Sequence, residues 1–409
     1  MEHDKLRNIS RRDWLGLAGR FGLSSTLYAA AGMAGLATLP DLARAAETVS
    51  GQRKKVPAKF TLKFGAAGFN DKNLDVEHAG FAFFAKDLEE RTDGAIRIDF
   101  IGDNQICNQL DCVKKAQQGI VDIFAASTQN SAGSAPYYNV LDYAYMFPSR
   151  ASQYHFFYHP KSEALLREPL RKQHSLQFLY THCELRGIQL GLKWKDKPLV
   201  KSVTDMAGTK NRVTGSQPGR IAMTLLDLNP VPIAWEETLD GLKNGLIDGA
   251  ETWTSAVAYA GMTPVLAQSV DLRFFCGTEH CAMNLASFGK LGSALQEQVM
   301  ESAYTAQIYA QGMNEAGLYN VVGATNPSRP GTLFHKYGVR VAELSDSELK
   351  KAEKMCSPEF NTKPWEEWRD RLNKWSGGHD TYKEIYAIAR EIPADTPAEN
   401  VKPRRWWKA

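Results

Sequence analysis

The chain reads as an α/β protein of two lobes, each a mostly parallel sheet flanked by helices. Three observations predict this. Short apolar–polar alternations of strand period recur along the chain and are separated by stretches of helical period. Glycine-containing turns punctuate them, as at Thr92-Asp93-Gly94 and Met206-Ala207-Gly208. The strand–helix alternation runs twice, from Phe60 to Phe124 and again from Leu176 to Ala250, which calls for two sheets. Ligands of such folds bind beyond the carboxyl ends of the strands, so a cleft between two lobes is the expected site.

Composition sets the outer limits. The 409 residues are 43% hydrophobic and 23% charged, an ordinary globular balance that excludes wholesale disorder and a polytopic membrane protein. Lys and Arg number 49 against 46 Asp and Glu, so the chain has no nucleic-acid footprint. Six cysteines are too sparse for a disulfide scaffold.

Residues 1–45 read as an address. Ser10-Arg11-Arg12-Asp13-Trp14-Leu15 precedes a soft apolar stretch carrying five glycines and Arg20, and the segment closes on Ala43-Arg44-Ala45. Basic residues, a mild apolar core and a small-x-small end make an export signal, and the adjacent arginines resemble the twin-arginine (Tat) type. Cleavage after Ala45 leaves a net charge of +1 and places the mature chain in the periplasm. Residues 46–59 are polar and form a flexible leader.

Phe60 to Gly65 alternates as a first strand, and His78 to Arg91 has helical spacing with Phe81, Phe84, Ala85 and Leu88 on one face. Ala95 to Phe100 is a second strand, Leu110 to Gly119 a helix ending on glycine, and Ile120 to Phe124 a third strand. In the second block, strands are expected at Leu176–Tyr180, Gly187–Lys193 and Lys210–Val213, with an edge-like piece at Val231-Pro232-Ile233 and a strand at Leu246–Ala250. Helices are expected at Arg220–Leu228, Thr238–Gly245, Gln296–Gly312, Leu344–Met355 and Pro364–Trp375. The lobes are drawn as 60–185 plus 278–322, and 186–277 plus 323–409.

Motifs for chemistry are few. No Gly-x-Gly-x-x-Gly follows a strand, and no Walker or Gly-x-Ser-x-Gly segment occurs. His155 and His159 are spaced to share a helix face, but their neighbours are aromatic, which favours packing or surface over a metal. Cys107/Cys112 and Cys276/Cys281 are the close cysteine pairs; either is open to a disulfide after export, and neither is a Cys-x-x-Cys redox motif. Cys183 and Cys356 read as buried small residues. What remains is arginine beside strand: Arg186 and Arg212, each able to grip a carboxylate with two parallel hydrogen bonds.

From Lys63 to about Gly338 the chain resembles the DctP-type solute receptors of tripartite ATP-independent periplasmic (TRAP) transporters. The resemblance is carried by Lys63-Phe64-Gly65, by the run from Phe84 to Ile98, by Gln118-Gly119-Ile120-Val121-Asp122-Ile123, by Asp205-Met206-Ala207-Gly208-Thr209-Lys210-Asn211-Arg212-Val213, by Asn229-Pro230-Val231-Pro232-Ile233, and by the run from Gly241 to Glu251. It implies a two-lobed, type II-like periplasmic binding fold that closes on an organic acid and delivers it to a small and a large membrane subunit, as monomer or homodimer, without catalysis and without a cofactor.

In that family the arginine before Val pairs with the ligand carboxylate, a role that falls on Arg212, with Arg186 similarly placed to assist. Trp235 stands where an aromatic residue lies against the ligand, or else packs between lobes. Where many members carry Asn-Pro after Gly-Ala-Glu, this chain has Thr252-Trp253, so one of these replaces the lost amide. Members with Trp near this point hold 2-oxo acids with a cation, which makes Glu251 a candidate metal ligand. Ser127, Thr128 and Asn130, on the other lobe, are candidates for ligand hydroxyls, and the charged residues typical of sialic-acid receptors are missing there. The C-terminal Arg404-Arg405-Trp406-Trp407-Lys408 reads as a docked tail rather than a membrane contact. The competing readings are a Tat-exported periplasmic enzyme, such as an oxidoreductase, and a sensory binding protein on the same fold.

Overall fold

The computed structural model describes residues 57–69 and 78–408. The export signal and most of the leader lie outside the described residues. The main elements run β1 (Phe60–Ala66), α1 (Ala79–Arg91), β2 (Ile96–Ile101), α2 (Cys112–Gln117), β3 (Ile123–Ser127), α3 (Arg150–Tyr158), α4 (Glu168–His174), β4 (Leu176–Thr181), β5 (Glu184–Gly191), β6 (Lys210–Val213), α5 (Gln217–Leu225), β7 (Asn229–Pro232), α6 (Thr238–Lys243), β8 (Gly249–Thr252), α7 (Thr254–Tyr259), β9 (Leu266–Gly277), β10 (Glu279–Asn284), α8 (Ser293–Gly317), β11 (Arg340–Glu343), α9 (Asp346–Cys356), α10 (Glu366–Trp375) and α11 (Thr381–Ile388).

Two sheets result, one of five strands in the order β2-β1-β3-β10-β4 and one of six in the order β11-β9-β5-β8-β6-β7. Parallel pairs join β1 to β2 and β3, β6 to β7 and β8, and β9 to β11, while β4/β10, β5/β8 and β5/β9 are antiparallel. The expected α/β class with mostly parallel sheets is what forms. β7 is an edge strand, as its two prolines require, since proline cannot donate to a ladder on both sides.

The described residues form two compact units. The first holds the residues up to Ala126, Ser175–Thr181 and His280–Met313; the second holds Ser127–His174, His182–Glu279 and the residues from Asn314 onward. This division differs from the lobes drawn on the sequence. Residues 127–174, expected with the first sheet, belong to the second unit, and the division falls near the ends of β3, β4 and β10 and within α8 rather than after residue 185.

In the first unit, α1 buries Phe81, Phe84, Ala85 and Leu88, the positions its helical spacing picks out, and β1 buries Leu62, Phe64 and Ala66 on alternate positions. Cys107 and Cys112 are joined by a disulfide at the start of α2. The second cysteine pair does not form: Cys276 and Cys281 are buried free thiols, because Cys276 lies on β9 and Cys281 on β10, separated by an extended crossing rather than a tight turn. Cys183 and Cys356 are buried, as expected.

The second unit has its own apolar core, in which Leu242, Ile247, Val257, Met262, Leu266, Val322, Phe334, Val339 and Val341 pack together, with Val231, Ile233 and Trp235 against it. Leu242 of α6 and Val257 of α7 belong to it, so both helices are anchored in the core of this unit. The C-terminal tail docks here as well: Trp406 is buried, with the Arg167 guanidinium 4.5 Å from its ring centroid.

β9 was not legible as a strand. Its twelve residues are nearly all buried and include Gln268 and Ser269, so no clean alternation marks it. Opposite β5 its register breaks, with Arg186 facing Phe275 and Ile188 facing Val270. Gly187 occupies that break, and a Cβ there would lie 2.1 Å from the Val270 carbonyl oxygen. Glycine is therefore required next to Arg186 by close backbone approach. Gly187→Ala should destabilise the protein by about 2–3 kcal/mol, the scale of an overpacked interior. Urea unfolding of the purified variant checks this, and an unchanged midpoint would contradict the argument.

Candidate functional site

The polar interior of the second unit starts from two neighbouring strands. Across β5 and β8, Ile188 opposes Glu251, so Arg186 lies diagonal to Glu251. The result is a bidentate ion pair. Arg186 Nε donates to Glu251 Oε1, and Nη2 donates to Oε2 at 2.9 Å and to the Glu251 carbonyl at 3.1 Å. Both side chains are essentially excluded from solvent, at 1% and 0% exposure. The Arg186 guanidinium carbon also lies 4.7 Å from the centroid of the buried Trp253 ring. Isolated buried charges are costly, and a two-pronged pair with a further carbonyl acceptor is the arrangement that offsets that cost.

Arg212, on β6, is different. It is equally buried, yet its Nε donates only to the Ile233 carbonyl, at 3.2 Å, and among the described residues no carboxylate lies within ion-pair distance of it. Its guanidinium carbon sits 5.2 Å from the centroid of Trp235. Burial, and then the neighbouring Arg186 charge, lower its pKa to about 10, so it is still a cation at neutral pH. Trp235 is half-buried, packs against the apolar core and lies 6.2 Å from Tyr259, so it both shields Arg212 and belongs to the packing.

Thr214 and Ser216 follow directly after the Arg212 strand. Thr214 Oγ1 donates to Gln129 Oε1 at 3.2 Å, and Ser216 Oγ, 3.4 Å from Asn139 Oδ1, also accepts from the Gly219 amide at 3.1 Å as the N-cap of α5. These contacts tie the segment after β6 to Gln129 and Asn139 within the second unit. Beside them stands Asp142, which is fully buried, with Ser216 and Gln129 facing its carboxyl group. Burial raises its pKa to about 7, although Ser216, Gln129 and Arg186 all favour its ionised form.

Of the residues picked out on the sequence, Arg186, Arg212, Glu251, Thr252, Trp253, Ser127, Thr128 and Asn130 are all buried in this one unit. Ser127, Thr128 and Asn130 were expected on the other lobe; they lie instead in the unit that holds the arginines. Thr128 is engaged internally, its hydroxyl 2.5 Å from that of Thr278 and its amide donating to the Thr278 carbonyl. Arg186 is satisfied largely by Glu251 rather than left to assist a ligand. Glu251, the candidate metal ligand, spends both oxygens on Arg186, and among the described residues no group of three His, Cys, Asp or Glu side chains is placed to hold a metal ion. His155 and His159 both turn to Glu391, at 2.9 and 3.6 Å.

Sequence reasoning missed Asp142, Gln129 and Ser216. A signal existed for the first: Asp142 is the lone acid in the aromatic and aliphatic run from Tyr137 to Phe147. An acid in an otherwise core-like segment is either paired or functional.

A two-sheet α/β protein with a buried arginine near a strand end and without an acidic partner has the makings of a receptor for a small anion. Comparison with known proteins gives the family. The profile of the bacterial extracellular solute-binding protein family 7 (DctP) matches residues 68–360, and the chain belongs to that family. The 2,3-diketo-L-gulonate-binding periplasmic protein YiaO of Escherichia coli K12 is 24% identical over 287 residues, covering 64% of this chain and 80% of that protein. The uncharacterized protein YiiZ of Salmonella typhimurium is 26% identical over 187 residues, and the match spans 44% of this chain and only 53% of that relative's length. Among solved structures, a TRAP periplasmic solute-binding protein from Desulfovibrio salexigens with bound orotic acid superposes with a TM-score of 0.67 at 17% identity, over 80% of this chain and 99% of that one. The fold is thus that of the solute receptors, and the family is one of binding proteins, which decides against the enzyme reading.

Asp142 gives a pH signature. Its folded pKa is raised above the ordinary value of 3.8 to about 7, so the native state holds a proton that the unfolded chain releases. Stability is therefore lost as pH rises through that window. Asp142→Asn should gain on the wild type by on the order of 4 kcal/mol across it. Comparing the urea midpoints of the two proteins at several pH values tests this, and Glu184, raised to about 7 by burial in both, cancels in the difference.

Proposed function

We propose that this chain is the extracytoplasmic receptor of a TRAP transporter, that it binds an organic acid with Arg212 as the carboxylate anchor, and that it hands the acid to the membrane subunits for uptake. The observation that carries this reading is the Arg212 guanidinium, fully buried and without an acidic partner among the described residues. A buried cation left alone costs several kcal/mol, and a ligand carboxylate received in two parallel hydrogen bonds offsets that cost. The two named ligands among the similar proteins, 2,3-diketo-L-gulonate and orotic acid, are both carboxylic acids, which supports the same class here.

Trp235 and Trp253 supply apolar faces beside the two arginines and can shield the ligand body from water. No helix among the described residues is long and apolar enough to cross a membrane. The twin-arginine segment Ser10-Arg11-Arg12 supports export of the folded chain to the periplasm. Replacing Arg11 and Arg12 by lysine should leave the unprocessed chain in the cytoplasm, which fractionation and immunoblotting would read directly.

Binding is tested by thermal shift on protein unfolded and refolded to strip carried ligand, against mono- and dicarboxylates, 2-oxo acids and sugar acids. An acid at a hundred times its dissociation constant adds about 2.7 kcal/mol. One or more acids should raise the midpoint without being consumed, and Arg212→Ala should weaken that acid by about 2–4 kcal/mol. Equal affinity in the variant would remove Arg212 from the site.

A further inference from the structure

Strand β5 carries two charged residues on one face, Glu184 and Arg186, two positions apart. Both are buried, at 2% and 1% exposure. They take hold of the neighbouring chain on either side of Thr252-Trp253. Before this dipeptide, Arg186 pairs with the Glu251 carboxylate and donates to its carbonyl at 3.1 Å. After it, Glu184 Oε2 accepts from the Thr254 amide at 3.1 Å and the Ser255 amide at 3.3 Å, and Oε1 accepts from the Ser255 hydroxyl. Gly277, opposite Glu184 on β9, leaves room for the arrangement: a Cβ there would lie 3.1 Å from Arg186 Cγ and 3.2 Å from Trp253 Cβ. The held segment leads into α7, whose last residue, Tyr259, has its ring 6.2 Å from that of Trp235 and lies within electrostatic reach of Arg212. All of these residues belong to one compact unit.

We propose that Glu184 is a positioning residue of the acid site: with Arg186 it grips the β8–α7 junction from both ends, so that Trp253 stands over the Arg186 guanidinium and Tyr259 beside Arg212 and Trp235 before an acid binds. The inference rests on the carboxylate reading of Arg212 and deepens it. A buried carboxylate is costly, and three donors converging on it are what offset that cost. Burial nonetheless raises its pKa from 4.5 to about 7. Of the charged groups that face it, Arg150 of α3 favours the ionised form and Glu315 of α8 opposes it, and these two pair with each other at 2.6 and 2.8 Å. The full grip needs the ionised form, because a proton on the carboxyl would meet two amides that can only donate. Raising the pH toward 7 therefore costs folding stability through this residue, since the unfolded chain has already released the proton, while it strengthens the grip. Stability and binding respond to Glu184 in opposite senses.

Calorimetric titration of the ligand-stripped chain tests this with orotate, 2,3-diketo-L-gulonate, D-glucuronate and pyruvate, the tightest of which serves as the probe. At about pH 8, Glu184→Ala should weaken the probe roughly tenfold, and Glu184→Gln, which keeps one acceptor oxygen, about threefold, the scale of lost charge-assisted hydrogen bonds. Ile385→Ala, a truncation of a buried residue in α11, should lower the urea midpoint and leave the affinity unaltered. Wild-type affinity should fall from about pH 8 to about pH 6, and that of Glu184→Gln should fall less. The proposal is overturned if both Glu184 variants bind as the wild type does. It is equally overturned if Ile385→Ala weakens the probe as much as Glu184→Ala does, in which case Glu184 only stabilises the fold. Should Glu184→Ala fail to fold, Glu184→Gln decides: equal affinity at about pH 8, or a pH profile parallel to that of the wild type, overturns the proposal. Loss of the probe in Arg212→Ala with unchanged affinity in the Glu184 variants would sink this proposal and leave the Arg212 reading standing, whereas no binding by any acid, in this set or in the wider carboxylate panel, would sink both.

Discussion

The buried pair between Arg186 and Glu251 governs how the interior of the second unit is arranged. Two strands that meet antiparallel place a guanidinium and a carboxylate on a diagonal, and the pair closes with three hydrogen bonds from Arg186. Once Glu251 is committed, it is not available to Arg212, and a second buried cation remains without an acid. An uncompensated charge of that kind is tolerated in a native protein where binding is its purpose, because removing it from water is worthwhile only when a partner arrives. On the reading proposed above, stability and function are separated onto two arginines: Arg186 neutralised within the fold, Arg212 reserved for the ligand.

Packing around the pair serves that separation. Gly187 lets the β9 backbone approach closely beside Arg186, and the register break there allows the strand pair to continue on either side. The core around Leu242, Ile247 and Val257 anchors α6 and α7 and takes Trp235, the ring beside Arg212, against its face. Ser216 works at two scales, capping α5 through the Gly219 amide while facing the Asp142 carboxyl.

Legibility followed the physics of each signal. Strands β1, β2 and β6 and helix α1 came within a residue of their observed bounds, because one buried face writes a clean period into the residues. β3 was displaced by a few residues, and β9 escaped altogether, because strands buried on both faces lose the alternation. Arg186 and Arg212 were found by their place beside strands and by the motif around Arg212, but the partner of Arg186 was not. An i-to-j pairing across 65 residues depends on register, which no local pattern contains.

What the residues alone determined is the class, an α/β solute-binding protein of the DctP kind, and they single out Arg212 as the residue to test as the anchor of an acid. That much is local, because helix and strand periods, an address segment and short motifs are properties of neighbours in sequence. Tertiary structure decided the rest. It set which unit holds residues 127–174, which arginine is neutralised, which cysteines join, and that Asp142 is buried facing Ser216 and Gln129. Each of these is a matter of contact between segments far apart in the chain, fixed by burial and strand register, and burial is also what turns an ordinary aspartate into a group that titrates near neutrality.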